Sequence, residues 1–442
     1  MRQVDAAVIG GGVLGCFAAR NLMRWRLSAV LLEQAEDVCT GITRANSAIV
    51  YAGYNNRPGS LKAEMTVRGN REYDSLCREL EVPFTRRGSL LVTYDAEALP
   101  RLGRKYEQGL QNGVPGLRLL SGKEAEAMEP MLKPGVAGAL YAPSTGTVNP
   151  WQLGIAAFEN AVDNGVNPML NTTVTAIRRE KSGYRLITTG EDILCKVVIN
   201  CAGLLADRVQ ELLFSPSVRL HWDGAEYLVL DKLARKPERV IFHQAQSCGK
   251  GITAIPCVEG NLLLSGTRKS MDMPFSTTPE GLRELETAAR ELLPVLDTSQ
   301  IIRSFAAVRP NPYRENGEDL HDFCIENPAP GFFSLIGIKT PGLTCADQLG
   351  QYLAERTATY LQADPNPGFD PQRAAIPKTD DQEIVCQCEG VTRSEILEAI
   401  RRGACTVDGV KRRVGSGMGR CQGSRCSYAI ERLLEETRHG TL

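Results

Sequence analysis

The chain has 442 residues, a formal net charge of −1, 43% hydrophobic residues and 23% charged residues, a length typical of about three domain-sized units. The balanced charge gives no indication of a nucleic-acid partner or of an acidic tail. The N-terminus lacks the pattern of an export signal, and no apolar run reaches about 18 residues, so we expect a cytoplasmic protein with no membrane span.

The N-terminus predicts a nucleotide-binding unit made of a strand, a helix and a second strand, at 4–9, 13–24 and 29–32. Three glycines lie between the first strand and the helix: Gly10, Gly12 and Gly15. They permit a tight turn and let backbone N–H groups at the helix N-terminus approach a pyrophosphate. Glu33 follows Gly15 by 18 residues, where a carboxylate can bond ribose hydroxyls. This order favours dinucleotide binding over an ordinary tight turn.

A small polar segment, 40–47, follows the second strand closely. It lies where the rest of a larger dinucleotide would run, and Arg44, Asn46 and Ser47 are its candidate cofactor ligands. A polar surface loop is the alternative interpretation of this segment. Beyond it, helices are predicted at 61–80, 99–110 and 124–128 and strands at 88–94 and 138–142. Because this block has no phosphate loop, we interpret it as an inserted module on the substrate side.

The chain then returns to the nucleotide unit. A helix is predicted at 151–164, a strand from the candidate residue Val174 to 178, and a strongly apolar strand at 196–200 that leads into Ala202 and Gly203. A buried strand with a routine turn is the alternative. A second block follows, with strands at 226–230, 252–255 and 261–266 and a helix at 279–293. It closes on Arg309, just before Pro310, which we expect to end its strand.

Two positively charged features follow from this part of the chain. Arg309 is suited to bidentate carboxylate or phosphate binding, although a solvated surface arginine is the ordinary alternative. Lys339 comes between a buried strand at 331–338 and a helix at 345–361. A lysine beside a helix N-terminus is a site for the pyrimidine end of a flavin. The other candidates in this stretch are Gly337, Gly342, Leu343 and Thr344.

Four of the fourteen cysteines are concentrated beyond a proline-rich linker at 363–381: Cys386, Cys388, Cys421 and Cys426. Four thiolates at these spacings predict a sulfur-bound metal centre, with zinc as the alternative to iron–sulfur. The segment also carries a capped helix at 392–403 and a helix at 426–436. The other ten cysteines, among them Cys248, are expected to be reduced and buried.

The first 360 or so residues resemble the FAD-dependent D-amino-acid-oxidase-like superfamily. The motifs that carry this resemblance are Gly10, Gly12, Gly15, Glu33, 200–203, Ala206, Asp207, 224–228, 305–310 and 337–344. The last three are most similar to the branch with L-2-hydroxyglutarate dehydrogenases and the anaerobic glycerol-3-phosphate dehydrogenase A subunit. Residues 382–436 resemble the bacterioferritin-associated-ferredoxin-like 2Fe-2S domain, which implies that Cys386, Cys388, Cys421 and Cys426 ligate the cluster.

These resemblances imply an α/β fold with FAD and a 2Fe-2S cluster as cofactors. A Rossmann-like FAD-binding domain would comprise 1–75, 145–220 and 325–362, with an inserted α+β substrate domain at 76–144 and 221–324. The linker, 363–381, would lead to a small helical 2Fe-2S domain at 382–442.

The hydroxyacid branch carries a histidine facing the flavin where this sequence has Tyr51. Tyrosine is a poor general base at neutral pH. The expected enzyme is a dehydrogenase of a small acidic alcohol, glycerol 3-phosphate or a 2-hydroxyacid, whose acid group is held by Arg309 with Tyr227 or Tyr51. Its electrons would pass singly through the cluster to a second redox subunit or acceptor. An amine or amino-acid dehydrogenase, and an electron-transfer or assembly subunit without catalysis, are the alternatives.

Overall fold

The computed structural model describes residues 1–243, 251–266, 269–270, 276–379 and 382–440. Cys248 and the last two residues of the predicted linker, 380–381, lie outside the described residues. In chain order the strands are β1 (Arg2–Ile9), β2 (Ala29–Leu32), β3 (Ile49–Val50), β4 (Phe84–Arg86), β5 (Ser89–Thr93), β6 (Arg118–Ser121), β7 (Gly138–Ala142), β8 (Gly146–Val148), β9 (Asn167–Met169), β10 (Val174–Glu180), β11 (Gly183–Thr188), β12 (Ile193–Asn200), β13 (Val218–Leu230), β14 (Val240–His243), β15 (Thr253–Pro256), β16 (Leu262–Ser265), β17 (Lys269–Ser270), β18 (Ile301–Arg314), β19 (Cys324–Ala329), β20 (Phe332–Ile336), β21 (Ile384–Cys386) and β22 (Val391–Thr392).

Eleven α-helices accompany these strands in the described part of the chain. They are α1 (Val13–Leu22), α2 (Leu61–Glu79), α3 (Leu99–Gln111), α4 (Gly122–Met128), α5 (Pro150–Asp163), α6 (Ala206–Glu211), α7 (Pro279–Leu292), α8 (Gly342–Leu361), α9 (Arg393–Arg401), α10 (Val407–Val414) and α11 (Ser427–Arg438). No helix in the described ranges combines the length and apolar character that crossing a membrane requires.

A mainly parallel sheet forms the centre of the nucleotide unit. Its strand order is β10-β11-β12-β1-β2-β9, and β20 pairs with β12 and carries β19 on its other side. β1 runs parallel to both β2 and β12, and Ile9 of β1 lies opposite Leu32 and Asn200. Helices α1, α5 and α8 pack together on one face, where the largest apolar core lies. The carboxyl ends of β1, β2 and β12 therefore meet at one edge, where such sheets bind ligands.

The second sheet is built from both blocks predicted for the substrate side. Its order is β17-β13-β16-β15-β14-β5-β7-β6, and β18 pairs with β13 along nearly its whole length. Strand β14 of the second block runs parallel to β5 of the first, which joins the two blocks. Helices α4 and α7 supply apolar side chains to the core on this sheet.

The expectation that Pro310 ends its strand is wrong. β18 continues through Pro310 and Pro312 to Arg314, with Pro310 opposite Trp222 of β13. Among the described strands β18 pairs with β13 alone and is thus an edge strand; on its other side there is one isolated bridge, between Tyr313 and Asp319. A proline without an N–H donor is tolerated there because an edge strand has one side with no ladder to complete.

The C-terminal segment forms its own small core around Val391, Ile396, Val410 and Ile430. The capping box expected for its first helix is confirmed: Thr392 accepts from the Glu395 amide, and the Glu395 carboxylate accepts from the Thr392 amide at 2.9 Å. Helix α10 was not predicted. The proline-rich segment before α9 has no helix or strand in its described part, 363–379, but it is attached to α5, since Arg373 forms an ion pair of 2.6 Å with Glu159.

Candidate active site

A cavity of about 510 Å³ lies between the carboxyl edge of the central sheet and the β13–β18 pair. Ile9, Leu32 and Cys201 wall it at the ends of β1, β2 and β12. Tyr227 of β13 and Arg309 of β18 wall it from the other side. The cavity thus joins the predicted nucleotide site to the predicted substrate site.

The glycine turn is shaped for close backbone approach. Gly10 has a φ of +104°, and a Cβ there would lie 2.6 Å from the Cys201 carbonyl oxygen. A Cβ on Gly15 would lie 1.8 Å from the Gly10 carbonyl oxygen. At Gly12 the only atom within 4 Å of such a Cβ is Thr43 Oγ1, at 3.5 Å. Gly10 and Gly15 therefore set the turn, while Gly12 leaves open space at the N-terminus of α1, where a phosphate group binds favourably.

Glu33, the predicted ribose ligand, lines the cavity and is held by the same turn. Its Oε2 accepts from the Gly11 amide at 2.6 Å and its Oε1 from the Ala35 amide at 2.9 Å. A carboxylate has about four acceptor positions, so these two bonds fix its orientation and leave others for a ribose hydroxyl.

The polar segment 40–47 divides into inward and outward side chains. Asn46 and Ser47 line the cavity, but Arg44 is exposed and does not line it, contrary to its prediction as a ligand. The reason is the short 3₁₀ turn Ile42–Arg44, which directs the side chain of Thr43 inward and that of Arg44 outward. Thr43 Oγ1 accepts a hydrogen bond from the Val13 amide at 3.0 Å. Thr43 was missed, although a threonine able to cap α1 was visible in the sequence.

The segment after β20 supplies the other end of the cavity. Lys339, Gly342 and Leu343 line it. Lys339 Nζ donates to Asn311 Oδ1 at 3.1 Å and pairs with Asp319 at 3.3 Å, so its charge is partly compensated.

Two other candidates in this segment lie outside the cavity wall. Thr344 is buried behind the wall, where its Oγ1 accepts from the Tyr51 amide at 3.0 Å. Gly337 does not line the wall either: it has a φ of +72°, and a Cβ there would lie 2.6 Å from Pro312. Both residues lie behind the residues that line the cavity.

Three side chains meet where the two sheets face each other: Tyr51, Tyr227 and Arg309. Burial raises the pKa of Tyr51 above its ordinary value of 10.0, so its hydroxyl stays protonated at neutral pH. Tyr227 stacks on Phe305 with ring centroids 4.6 Å apart. Arg309 makes no hydrogen bond or ion pair with another residue in the described part of the chain. It is therefore a cation that is available to an anionic ligand.

The four predicted metal-ligating cysteines come together as two pairs. All four are free thiols; Cys386 lies within hydrogen-bonding reach of Cys426, and Cys388 lies within hydrogen-bonding reach of Cys421. The hydrogen bond with Cys388 lowers the pKa of Cys421 to about 7, whereas burial raises that of Cys426 to about 11. Among the described residues no group of three or more His, Cys, Asp or Glu side chains is arranged to hold one metal ion.

The cysteines outside these pairs behave largely as expected. Eight of them are free and buried: Cys16, Cys39, Cys77, Cys195, Cys201, Cys257, Cys324 and Cys345. Cys405 differs because it is half-buried at the surface of the C-terminal segment, where its Sγ donates to the Glu36 carbonyl.

Comparison with protein families gives a match over most of the chain. Residues 5–356 match the model of the FAD dependent oxidoreductase family. The chain belongs to this family of FAD-dependent oxidoreductases. Residues 384–436 match the BFD-like 2Fe-2S binding domain. FAD and a 2Fe-2S cluster are therefore the cofactors of this oxidoreductase, and the fold and cofactors expected from the sequence are confirmed.

Three known proteins illustrate what this oxidoreductase is similar to. It is 40% identical to the glycerol 3-phosphate dehydrogenase of Caloramator mitchellensis, over 97% of this chain and 93% of that one. It is 29% identical to the human mitochondrial L-2-hydroxyglutarate dehydrogenase, over 68% and 67% of the two chains. The solved FAD-bound L-alpha-glycerophosphate oxidase of Mycoplasma pneumoniae covers 86% of this chain with all of its own, at a TM-score of 0.78 and 23% identity.

The residues present fit both cofactors of the oxidoreductase. The uncrowded Gly12, with Glu33 beside it, forms a cradle that a dinucleotide fills and a side chain would block. Four cysteines form the donor set that a 2Fe-2S cluster requires. Trp222 and Ile338 also line the cavity and were not identified from the sequence. In the described part of the chain no histidine lines it.

Proposed function

We propose that this oxidoreductase is a dehydrogenase of glycerol 3-phosphate, or of a 2-hydroxyacid of similar size, that delivers electrons through its iron–sulfur domain. The observation that carries the proposal is Arg309, which lines the cavity together with Tyr51 and Tyr227 and has no hydrogen-bond or ion-pair partner among the residues that the structure describes. A guanidinium in that position suits bidentate binding of a phosphate or carboxylate. The similarity to a glycerol 3-phosphate dehydrogenase over nearly the whole chain supports the same substrate class.

In this proposal FAD, when bound, would supply the acceptor for a hydride from the carbon that bears the hydroxyl group. Arg309 holds the acid group, and the hydroxyls of Tyr51 and Tyr227 orient the substrate. Tyr51 acts as a hydrogen-bond donor because its raised pKa keeps it protonated. The FAD cradle comprises Gly10, Gly12 and Gly15, with Glu33, Asn46, Ser47, Val174, Ala202, Gly203, Lys339, Gly342 and Leu343 around it.

Cys386, Cys388, Cys421 and Cys426 are the proposed cluster ligands. Their two contacting pairs suit a binuclear cluster that takes two thiolates on each iron. Such a cluster passes one electron at a time, which supports a second redox subunit or a one-electron carrier as the acceptor.

We also assign the FAD-binding domain to 1–75, 145–220 and 325–362 and the substrate domain to 76–144 and 221–324. The reduced state of the buried thiols supports a cytoplasmic location.

One departure favours a second candidate, an amine or amino-acid substrate. Tyr51 stands where the hydroxyacid branch carries a histidine that faces the flavin. A protonated tyrosine can orient an amine as well as an alcohol, and Arg309 would bind the carboxylate of an amino acid equally well.

The test is an anaerobic titration of the purified holoprotein with glycerol 3-phosphate, L-2-hydroxyglutarate and proline, followed by visible absorbance. We expect glycerol 3-phosphate to bleach the flavin bands and then the iron–sulfur bands. Bleaching by proline alone would support the amine candidate. A protein that holds FAD and is bleached by none of the three would contradict catalysis by this chain.

The ligand assignment has a separate test. Cys386→Ser or Cys421→Ser is expected to abolish the iron–sulfur absorbance and the stoichiometric content of iron and sulfide, while the FAD content stays unchanged. Cys405→Ser is the matched control, since Cys405 belongs to the same segment but to neither pair. Zinc in the wild-type protein in place of iron would contradict the cluster.

A further inference from the structure

The cysteine loops of the C-terminal domain contact the substrate-side sheet. Lys232 Nζ forms an ion pair of 2.8 Å with Glu389, the residue after Cys388. Arg303 Nη1 donates to Gln422 Oε1 at 3.2 Å, next to Cys421. On the other side of Cys421, Arg420 lies 3.7 Å from Asp231. These three pairs, called here the loop contacts, touch both cysteine loops.

The partners on the sheet belong to the same strand pair that walls the FAD cavity. Lys232 and Asp231 directly follow β13, and Arg303 lies near the start of β18. Alternate residues of a strand share one face, so Arg303 shares a face of β18 with Phe305, Ala307 and Arg309. At a rise of about 3.4 Å per residue, this face leads from Arg309 to the loop contacts within about 20 Å.

The stacked pair of Tyr227 and Phe305 lies between the two ends of this face. Tyr227 and Ala307 line the cavity, and they pack in one apolar cluster with Ala45 of the polar segment 40–47. Toward the other end of the face, Arg303 contacts the cysteine loop. The β13–β18 pair therefore extends from Arg309, the proposed substrate-binding cation, to the loops that carry the proposed cluster ligands.

A second attachment holds the C-terminal domain independently of the loop contacts. Asp37, with a side chain 1% exposed, accepts from Arg413 at 2.7 and 3.0 Å and from Arg412 at 3.0 Å. Both arginines belong to α10. Because this anchor is buried and the loop contacts are at the surface, a weakened loop contact releases the cysteine loops without detaching the domain.

We propose that the loop contacts are positioning contacts for electron transfer, holding the cluster against the end of the β13–β18 pair within one chain. FAD and the cluster, when bound, would supply a two-electron and a one-electron carrier, and the loop contacts would hold the cysteine loops in place for transfer of single electrons between them. The domain acts from a fixed, docked position and does not swing between the FAD and an acceptor. This inference rests on the proposed cysteine ligands.

The decisive variant is Lys232→Glu, which places two carboxylates together and changes no residue of the cavity or of the cysteine loops. We expect cluster reduction, followed by rapid-mixing absorbance and electron paramagnetic resonance, to slow about tenfold, while flavin reduction by glycerol 3-phosphate keeps its rate. Lys232→Glu combined with Glu389→Lys restores the ion pair in reverse and is expected to restore most of the rate. Hydrogen exchange over 386–389 and 419–422, in protein without cofactors, is expected to rise in the single variant and to fall again in the double variant.

Arg219→Glu is the control, because Arg219 lies on the same strand and forms an exposed ion pair with Glu211, away from the cysteine loops. The proposal is overturned if Lys232→Glu frees the loops in hydrogen exchange and leaves cluster reduction unchanged, or if the reversed pair does not restore the rate. If no substrate reduces the flavin, the substrate assignment has failed, and photoreduction of the bound flavin with EDTA tests the positioning contacts alone.

Discussion

The surroundings of each arginine near the cavity decide what it does. Arg413 is fully buried and forms hydrogen bonds to Asp37, so its charge is used inside the protein. Arg44 is exposed on the outer side of its turn and does not line the cavity. Arg309 lies between these extremes, half-buried and without a partner in the described residues. Only this combination leaves a partly desolvated cation free for a ligand.

Arg309→Gln is therefore expected to lower kcat/KM for glycerol 3-phosphate about 30- to 150-fold, the loss of about 2–3 kcal/mol expected for a charge-assisted contact. Steady-state kinetics with an artificial acceptor measures this change, and Arg309→Lys should recover part of it because the charge remains. Arg44→Gln is the matched control and should leave kcat/KM unchanged. Equal losses in Arg309→Gln and Arg44→Gln would show that Arg309 does not bind substrate.

Among the elements, the turn between β1 and α1 depends most directly on its sequence. Gly15→Ala would place a Cβ 1.8 Å from the Gly10 carbonyl oxygen, a backbone atom that cannot yield without displacing α1 from β1. We expect this variant to purify with little or no FAD, measured as the ratio of flavin to protein absorbance. Gly103 lies in α3 outside the cavity wall, and an added Cβ there meets no atom of the described residues within 4 Å, so Gly103→Ala should retain FAD. A full FAD content in Gly15→Ala would contradict the close approach.

What the sequence could and could not predict follows from the range of the interactions involved. The spacing of Gly10, Gly12 and Gly15 was sufficient to predict the turn because their neighbours in space are also neighbours in sequence or follow directly from the strand order. The continuation of β18 through Pro310 depends on its being an edge strand, which no local pattern records. The outward direction of Arg44 depends on a single 3₁₀ turn. The position of Arg309 at the cavity depends on the pairing of β13 with β18, which joins segments about 80 residues apart and could not be predicted from local sequence.

At the scale of the whole molecule, the buried anchor joins the two ends of the chain. Asp37 follows β2 by only a few residues, and its loop also carries Cys39, whose amide donates to the Gly11 carbonyl at 2.8 Å. The two arginines that Asp37 holds lie more than 370 residues further along the chain. The attachment of the C-terminal domain thus shares a loop with the FAD turn, and neither motif alone predicts it.

Asp37→Asn is expected to destabilise this attachment by about 3–5 kcal/mol at neutral pH, because it removes the nearest counter-charge of two buried guanidinium groups and leaves only Glu159, 3.7 Å from Arg413. Burial acts to raise the pKa of Asp37, but its bonds to Arg413 and Arg412 prevail and hold it below the ordinary value of 3.8. A carboxyl with a lowered pKa contributes its full stability above the unfolded value, and this contribution is lost as the pH falls through the folded value. The difference in urea midpoint between wild type and Asp37→Asn should therefore be constant from neutral pH down to about 3.8 and shrink below it.

The control is Asp408→Asn, because Asp408 is an exposed carboxylate on the same helix as the two arginines, and its replacement should change the urea midpoint little. A difference that grows as the pH falls would show that Asp37 is protonated in the folded protein and would remove the ion pair as the anchor.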